Sequence, residues 1–132
     1  MERKRRILIV DDSEFVRSYH SHILEHADFE VMTAVDGSDG LEKVYRHAFD
    51  LVLTDINMGN MDGYEFIRRI RAEECYQALP IIIVSTESEG KNKMKGFAAG
   101  GTLYLVKPCS PEMMIESIRM LLAGATEPGR RN

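Results

Sequence analysis

The sequence predicts an α/β fold in which a five-stranded parallel sheet carries helices on both faces, and two patterns support this. Four short runs, Ile7–Val10, Leu51–Leu53, Ile81–Val84 and Leu103–Val106, are rich in Ile, Val and Leu without apolar–polar alternation, as expected of strands buried on both faces. Between them, apolar residues recur every three or four positions, with Phe15, Tyr19 and Ile23 in the first segment and Met114, Ile118 and Leu121 in the last. That is the helical period. A weaker fifth strand is expected at Glu30–Ala34. Five β-α units in alternation give a doubly wound sandwich, and five strands suit the flavodoxin-like order 2-1-3-4-5 better than a longer Rossmann sheet.

The boundaries between elements carry matching chemistry. Ser13 and Ser38 stand where helix N-caps are needed, Ser110-Pro111 opens the last helix, and Gly100-Gly101 closes the fourth. The 132-residue length predicts one domain, spanning 5–124, with 125–132 as a frayed tail and no second folded module. No internal repeat, low-complexity block or interdomain linker stands out.

With 44% apolar and 29% charged residues the chain can bury a core, which excludes a disordered or disulfide-scaffold reading. The net charge of −4 argues against nucleic acid as the main partner. Arg3–Arg6 form a short basic patch, but four basic residues at a terminus are usually solvated. The apolar run after them is too short for a signal segment, and no stretch approaches the roughly 20 apolar residues of a membrane span. A cytoplasmic protein without membrane insertion is therefore expected. Cys75 and Cys109 lack ligand spacing, which fits a reducing compartment. His22 and His26 share a helix face, but no accompanying carboxylate motif such as H-E-x-x-H makes them a metal site. Most of the eight methionines are expected to fill the core, and some near the last helix to line an adaptable binding surface.

Ligands of open α/β sheets bind at the carboxyl ends of the strands. The residues that follow the apolar runs are Asp11 and Asp12, Asp55, Ser85 with Thr86, and Lys107. Two carboxylates about 4 Å apart repel by roughly 4 kcal/mol at an effective dielectric of 20. Three in one crevice therefore demand a cation or a raised pKa. Oxygen-only ligation suits Mg²⁺, which completes its shell with water and phosphate oxygens. With such an ion and Lys107 to neutralise phosphoryl oxygens, Asp55 is a plausible nucleophile toward phosphorus.

Asp11-Asp12, Asp55, Met58, Asp62-Gly63, Ser85 and Lys107-Pro108 together resemble the receiver-domain signature of two-component signalling. The resemblance spans roughly Ile7 to Leu122. It implies a phosphoacceptor at Asp55 that takes its phosphoryl group from a histidine kinase or a small phosphodonor and later loses it by self-dephosphorylation. It further implies Mg²⁺ held directly by Asp12, through water by Asp11, and by Asp55 and the Asn57 carbonyl. Ser85 would bind the phosphoryl oxygen, and Tyr104 would be the aromatic switch that rotates inward as Ser85 moves. The output partner would bind a face made by the fourth helix, fifth strand and last helix, and the chain would act as a monomer.

The resemblance is strongest to the CheY-like, single-domain chemotaxis regulators, because Asn57 and Glu87 each stand two residues after a key position and flank the path of the hydrolytic water. Gly59, Thr86 and Gly101 depart from the family pattern, where proline, a small residue and alanine are usual. Gly59 should loosen the loop after the third strand, and Thr86 bears on phosphoryl lifetime. A haloacid-dehalogenase type of phosphatase is disfavoured because its general-acid aspartate would fall at Asn57, which cannot donate in that way. A phosphorelay intermediate that hands the group to a histidine phosphotransfer protein shares every pocket residue and remains the alternative. An intact pocket argues against a phosphorylation-independent adaptor.

Overall fold

The computed structural model describes residues 3–124; the tail expected over 125–132 lies outside the described residues. Five strands, β1 (Arg6–Val10), β2 (Glu30–Ala34), β3 (Leu51–Thr54), β4 (Ile81–Ser85) and β5 (Leu103–Val106), alternate with five α-helices. These are α1 (Glu14–His26), α2 (Gly37–Arg46), α3 (Gly63–Arg71), α4 (Gly90–Ala99) and α5 (Pro111–Gly124). All strand pairs are parallel, in the order β2-β1-β3-β4-β5. The expected order is the one observed.

The unbroken apolar runs are explained by the two layers that cover the sheet. Leu8 and Val10 of β1, Val52 of β3 and Ile81 and Ile83 of β4 pack with Phe66, Ile67 and Ile70 of α3 and with residues of α2 and α4. Their neighbours Ile7, Ile9, Leu51, Leu53, Ile82 and Val84 face the other way, onto Ile23 and Leu24 of α1 and Met114, Ile118 and Leu122 of α5. Side chains alternate between faces along a strand, so with both faces covered the central strands are apolar at nearly every position before their carboxyl ends.

The helix starts agree with the sequence reading at α1 and α5 but not at α2. Ser13 Oγ accepts the Val16 N–H at 3.2 Å and Ser110 Oγ accepts the Met113 N–H at 3.1 Å. The cap of α2 is Asp36, whose carboxylate accepts the Asp39 N–H at 2.9 Å, while Ser38 lies inside the helix. Asp36 has the extended backbone that a cap requires, and the turn has already begun at Gly37. Gly100 ends α4 with φ of 120°, a conformation that favours glycine.

The basic amino-terminal segment is also not simply solvated. Arg3 makes a two-pronged contact with Asp50 at 2.8 and 2.9 Å, and the Arg6 N–H adds a third bond at 2.8 Å. Arg6 also pairs with Glu30. Burial alone would raise the Asp50 pKa, but Arg3, the Arg6 N–H and Arg5 together hold it below the usual carboxylate range. This arrangement anchors the edge of the sheet opposite the strand carboxyl ends.

Gly59 stands in open space, and its loop is tied down rather than left slack. Asn60 Nδ2 donates to Asp36 at 2.9 Å, and the Gly37 N–H donates to the Met61 carbonyl at 3.1 Å. A Cβ on Gly101 would come within 2.8 Å of Ile83 Cδ1 and 3.1 Å of the Gly96 carbonyl oxygen, so a methyl there would require the Ile83 side chain to shift. Among the described residues no helix is long and apolar enough to cross a membrane.

Gly63 begins α3 directly beneath the strand end that carries Asp55. A Cβ there would collide with the Asp55 carbonyl oxygen and approach Ile56 Cα at 2.8 Å. Backbone cannot move aside as a flexible side chain can, so Gly63→Ala should cost about 2–3 kcal/mol. Urea unfolding of the two proteins measures this, and an unchanged midpoint would show that the loop yields freely.

Candidate functional site

Extending the strands by one residue places polar groups at the carboxyl edge of the sheet. The Asp11 N–H still bonds to the Ala34 carbonyl at 3.1 Å, and the Asp55 N–H to that of Val10 at 2.9 Å. Both aspartates are therefore fixed by the ladder that holds the core strands. Beyond β4 and β5, the Lys107 N–H donates to the Ser85 carbonyl at 2.7 Å, and the Lys107–Pro108 bond is cis.

The side chains of these residues converge. Asp11, Asp12 and Asp55 each bring a carboxylate oxygen within 4.8 Å of the others. Lys107 Nζ lies 2.9 Å from Asp11 Oδ2 and 3.4 Å from Asp55 Oδ2. Asp11 is buried, Asp55 half-buried and Asp12 exposed. The second oxygen of Asp11 accepts the Ser13 N–H at 2.9 Å, and Asp55 Oδ1 accepts the Ile56 N–H at 2.7 Å. One ammonium cannot balance three clustered carboxylates, and a donor set made only of oxygens fits a hard divalent cation. Asp11, Asp12 and Asp55 are the residues that could offer oxygens to such an ion.

Burial raises the Asp55 pKa above its ordinary value, with a further push from Asp11, against the opposing pull of Lys107 and the Ile56 N–H. For Lys107, burial would lower the pKa, but hydrogen bonding to Asp11 and the charges of Asp55 and Asp11 prevail and raise it. The ammonium is thus held charged against the carboxylates.

A second group of residues closes around Ser85. Its side chain is fully buried, and its Oγ accepts the Glu87 N–H at 3.1 Å. The Glu87 side chain in turn accepts from Asn57 Nδ2 at 3.1 Å, and the Glu87 carbonyl accepts the Tyr104 hydroxyl at 2.8 Å. Tyr104 is buried, clustered with Ile83 and Ala99 in the core. Thr86 is exposed beside this group. Asp11, Asp12, Asp55, Ser85 and Lys107 thus lie at the carboxyl ends of the strands, whereas Tyr104 sits within β5.

The sequence reading missed Arg17, whose Nη1 donates to the Asp11 carbonyl at 2.8 Å and so steadies the acidic turn from within α1. It also missed Thr54, whose hydroxyl donates to the Asp55 carbonyl at 2.9 Å. Arg17 lies one turn after the Ser13 cap on the same helix, a spacing that could have drawn attention to it. His20 is buried, with its pKa lowered by burial and by Lys107.

The family model for the response regulator receiver domain matches residues 7–119. The chain is 35% identical over 117 residues to the response regulator ArlR of Staphylococcus aureus, covering 89% of this chain and 52% of that protein. It therefore spans about half the length of the curated relatives it matches. The structure of the chemotaxis response regulator CheY4 of Vibrio cholerae superposes with a TM-score of 0.86 at 37% identity, covering 90% of this chain and 99% of that one. A CheY-like receiver domain protein of Methanospirillum hungatei gives a TM-score of 0.85 at 30% identity, covering 92% and 95%.

The raised pKa of Asp55 has a consequence for stability. A carboxyl whose folded pKa lies above its unfolded value contributes stability below the unfolded pKa and loses it as pH rises through the folded one. At neutral pH the ionised Asp55 is therefore a cost when no cation is supplied. In EDTA, Asp55→Asn should raise the thermal midpoint at pH 7, and the gain should shrink as pH falls toward 4. Melting curves across that range test this, and a gain that grows on acidification would contradict the assigned direction.

Proposed function

Because the chain belongs to the response-regulator receiver family of two-component signalling, we propose that Asp55 accepts a phosphoryl group from a histidine kinase and that the modified protein engages an output partner. The observation that carries this reading is the bridge of Lys107 to Asp11 and Asp55. It sets an ammonium beside the carboxylate that must approach a phosphoryl dianion.

Receiver domains are generally Mg²⁺-dependent, and the cluster here suits that ion. Asp11 has both oxygens engaged by Ser13 and Lys107, so it would support an ion through water, whereas the exposed Asp12 would hold it directly together with Asp55 and the Asn57 carbonyl. When bound, the ion supplies positive charge for the phosphoryl oxygens. An Asp55 oxygen forms the new O–P bond as the N–P bond of the donor phosphohistidine breaks, and the donor imidazole keeps the electron pair and takes up a proton. Small phosphodonors would serve in the same way. Lys107 stabilises the transferred group, and Asn57 and Glu87, already hydrogen-bonded to each other, orient the water that later hydrolyses it.

Ser85 and Tyr104 would carry the signal. A phosphoryl group on Asp55 offers Ser85 a new acceptor, and Ser85 is bonded to the same Glu87 segment that receives the Tyr104 hydroxyl. As Ser85 moves, Tyr104 would shift toward the inward orientation and fix the face formed by α4, β5 and α5. Moving such a switch from 1:99 to 99:1 takes about 5.5 kcal/mol, within reach of several charge-assisted hydrogen bonds. The likeness to CheY4, described as a chemotaxis response regulator, supports a chemotaxis-like role acting in the cytoplasm. The same pocket would serve a phosphorelay intermediate, which a histidine phosphotransfer protein accepting label from Asp55 would reveal.

Asp55→Asn should abolish labelling by a phosphorylated kinase or by acetyl phosphate, and EDTA should abolish it in the wild type. Wild-type labelling in the variant would refute the phosphoacceptor assignment. Thr86 stands exposed beside the pocket, where a β-branched side chain shields the phosphorus from in-line water. Displacing that water by about 1 Å can cost on the order of a hundredfold in rate. Thr86→Ala should therefore shorten the phosphoryl half-life in the presence of Mg²⁺ and absence of kinase, and an equal or longer half-life would rule out shielding.

A further inference from the structure

We propose that His22 and His26 of α1 form a chelate for a borderline divalent transition-metal ion such as Ni²⁺, Cu²⁺ or Zn²⁺, on a surface separate from the carboxylate cluster. The two residues lie one helical turn apart and both are exposed, with ring centroids 4.1 Å apart. His26 Nδ1 lies 2.9 Å from the His22 carbonyl oxygen. A carbonyl can only accept, so Nδ1 carries the proton and Nε2 of the neutral ring keeps its lone pair. A backbone bond of this kind fixes the tautomer and orientation of histidines that bind metals. The sequence showed only the spacing, and the structure adds the tautomer and the short distance between rings.

The donor type decides which ion is taken. Imidazole suits Ni, Cu and Zn, whereas Mg²⁺ favours oxygen ligands, so the two sites sort cations by chemistry. His20 does not belong to the pair, because it is buried and feels Lys107 and Asp11. Beside His22, Ser18, Ser21 and the carboxylates of Glu14 and Glu25 line a shallow depression that Arg17 also borders, and their oxygens can hold ion-bound water. Two histidines leave the other coordination positions to water or to a ligand from a second molecule. Binding would tie successive turns of α1 together and stabilise the folded chain by mass action.

The test is calorimetric titration of Ni²⁺ into the full chain in excess Mg²⁺, with wild type, His22→Ala, His26→Ala and His47→Ala compared. Wild type and His47→Ala should share a site that His22→Ala and His26→Ala each weaken by more than about tenfold. Alanine favours the helix at exposed positions, so the variants should fold, and circular dichroism verifies it. Independently of any variant, substoichiometric Cu²⁺ should broaden wild-type amide signals most strongly around residues 22 and 26. Wild-type Ni²⁺ affinity in either single α1 variant, or broadening centred elsewhere, would overturn the proposal.

Discussion

The bridge from Lys107 to Asp11 and Asp55, at 2.9 and 3.4 Å, is the interaction around which the carboxyl edge of this protein is arranged. Lys107 follows β5 while the aspartates follow β1 and β3, and β4 lies between. The ammonium therefore spans the middle of the sheet above Ser85. Without it, clustered carboxylates at half-buried positions would repel with little to offset them. With it, charge is only partly balanced, which leaves the edge receptive to a further cation.

That arrangement depends on a rigid platform. The central strands β1, β3 and β4 are buried on both faces and largely apolar, and at their carboxyl ends the ladder still fixes Asp11 and Asp55 through their backbone N–H groups. The close approach of Gly63 to the Asp55 carbonyl brings α3 against the same strand end. At the opposite edge, Asp50 gathers Arg3, Arg5 and the Arg6 N–H. There a buried carboxylate is met by the exposed Arg3 and the partly buried Arg5. The contrast between a satisfied edge and an under-neutralised one separates scaffold from site.

The link between pocket and distant surface is short. Glu87 joins Ser85, Asn57 and Tyr104 through its N–H, carboxylate and carbonyl respectively. Gly96 of α4 leaves the space that the Ile83 and Tyr104 side chains use, since a Cβ there would meet Ile83 at 2.6 Å and Tyr104 at 3.4 Å. Glu87 and the Tyr104 ring thus join Ser85 to α4 and β5 by direct contacts.

The strands, their order and the residues at their carboxyl ends were legible in the sequence, because burial on both faces enforces unbroken apolar runs and a parallel sheet puts its polar residues where those runs stop. The observed strand bounds differ from the expected ones by one residue at most. What the sequence could not decide were contacts made between elements distant in the chain or dependent on a local backbone angle. Asp36 rather than Ser38 caps α2 because its backbone is extended there, and Arg3 reaches Asp50 across 47 positions. Arg17 steadies Asp11 through a carbonyl oxygen, a group common to every residue and so invisible in side-chain patterns. Sequence alone determined which chemical groups gather at the sheet edge. Only tertiary packing decided which oxygen faces which nitrogen, because hydrogen bonds select by distance and angle after the backbone has been placed.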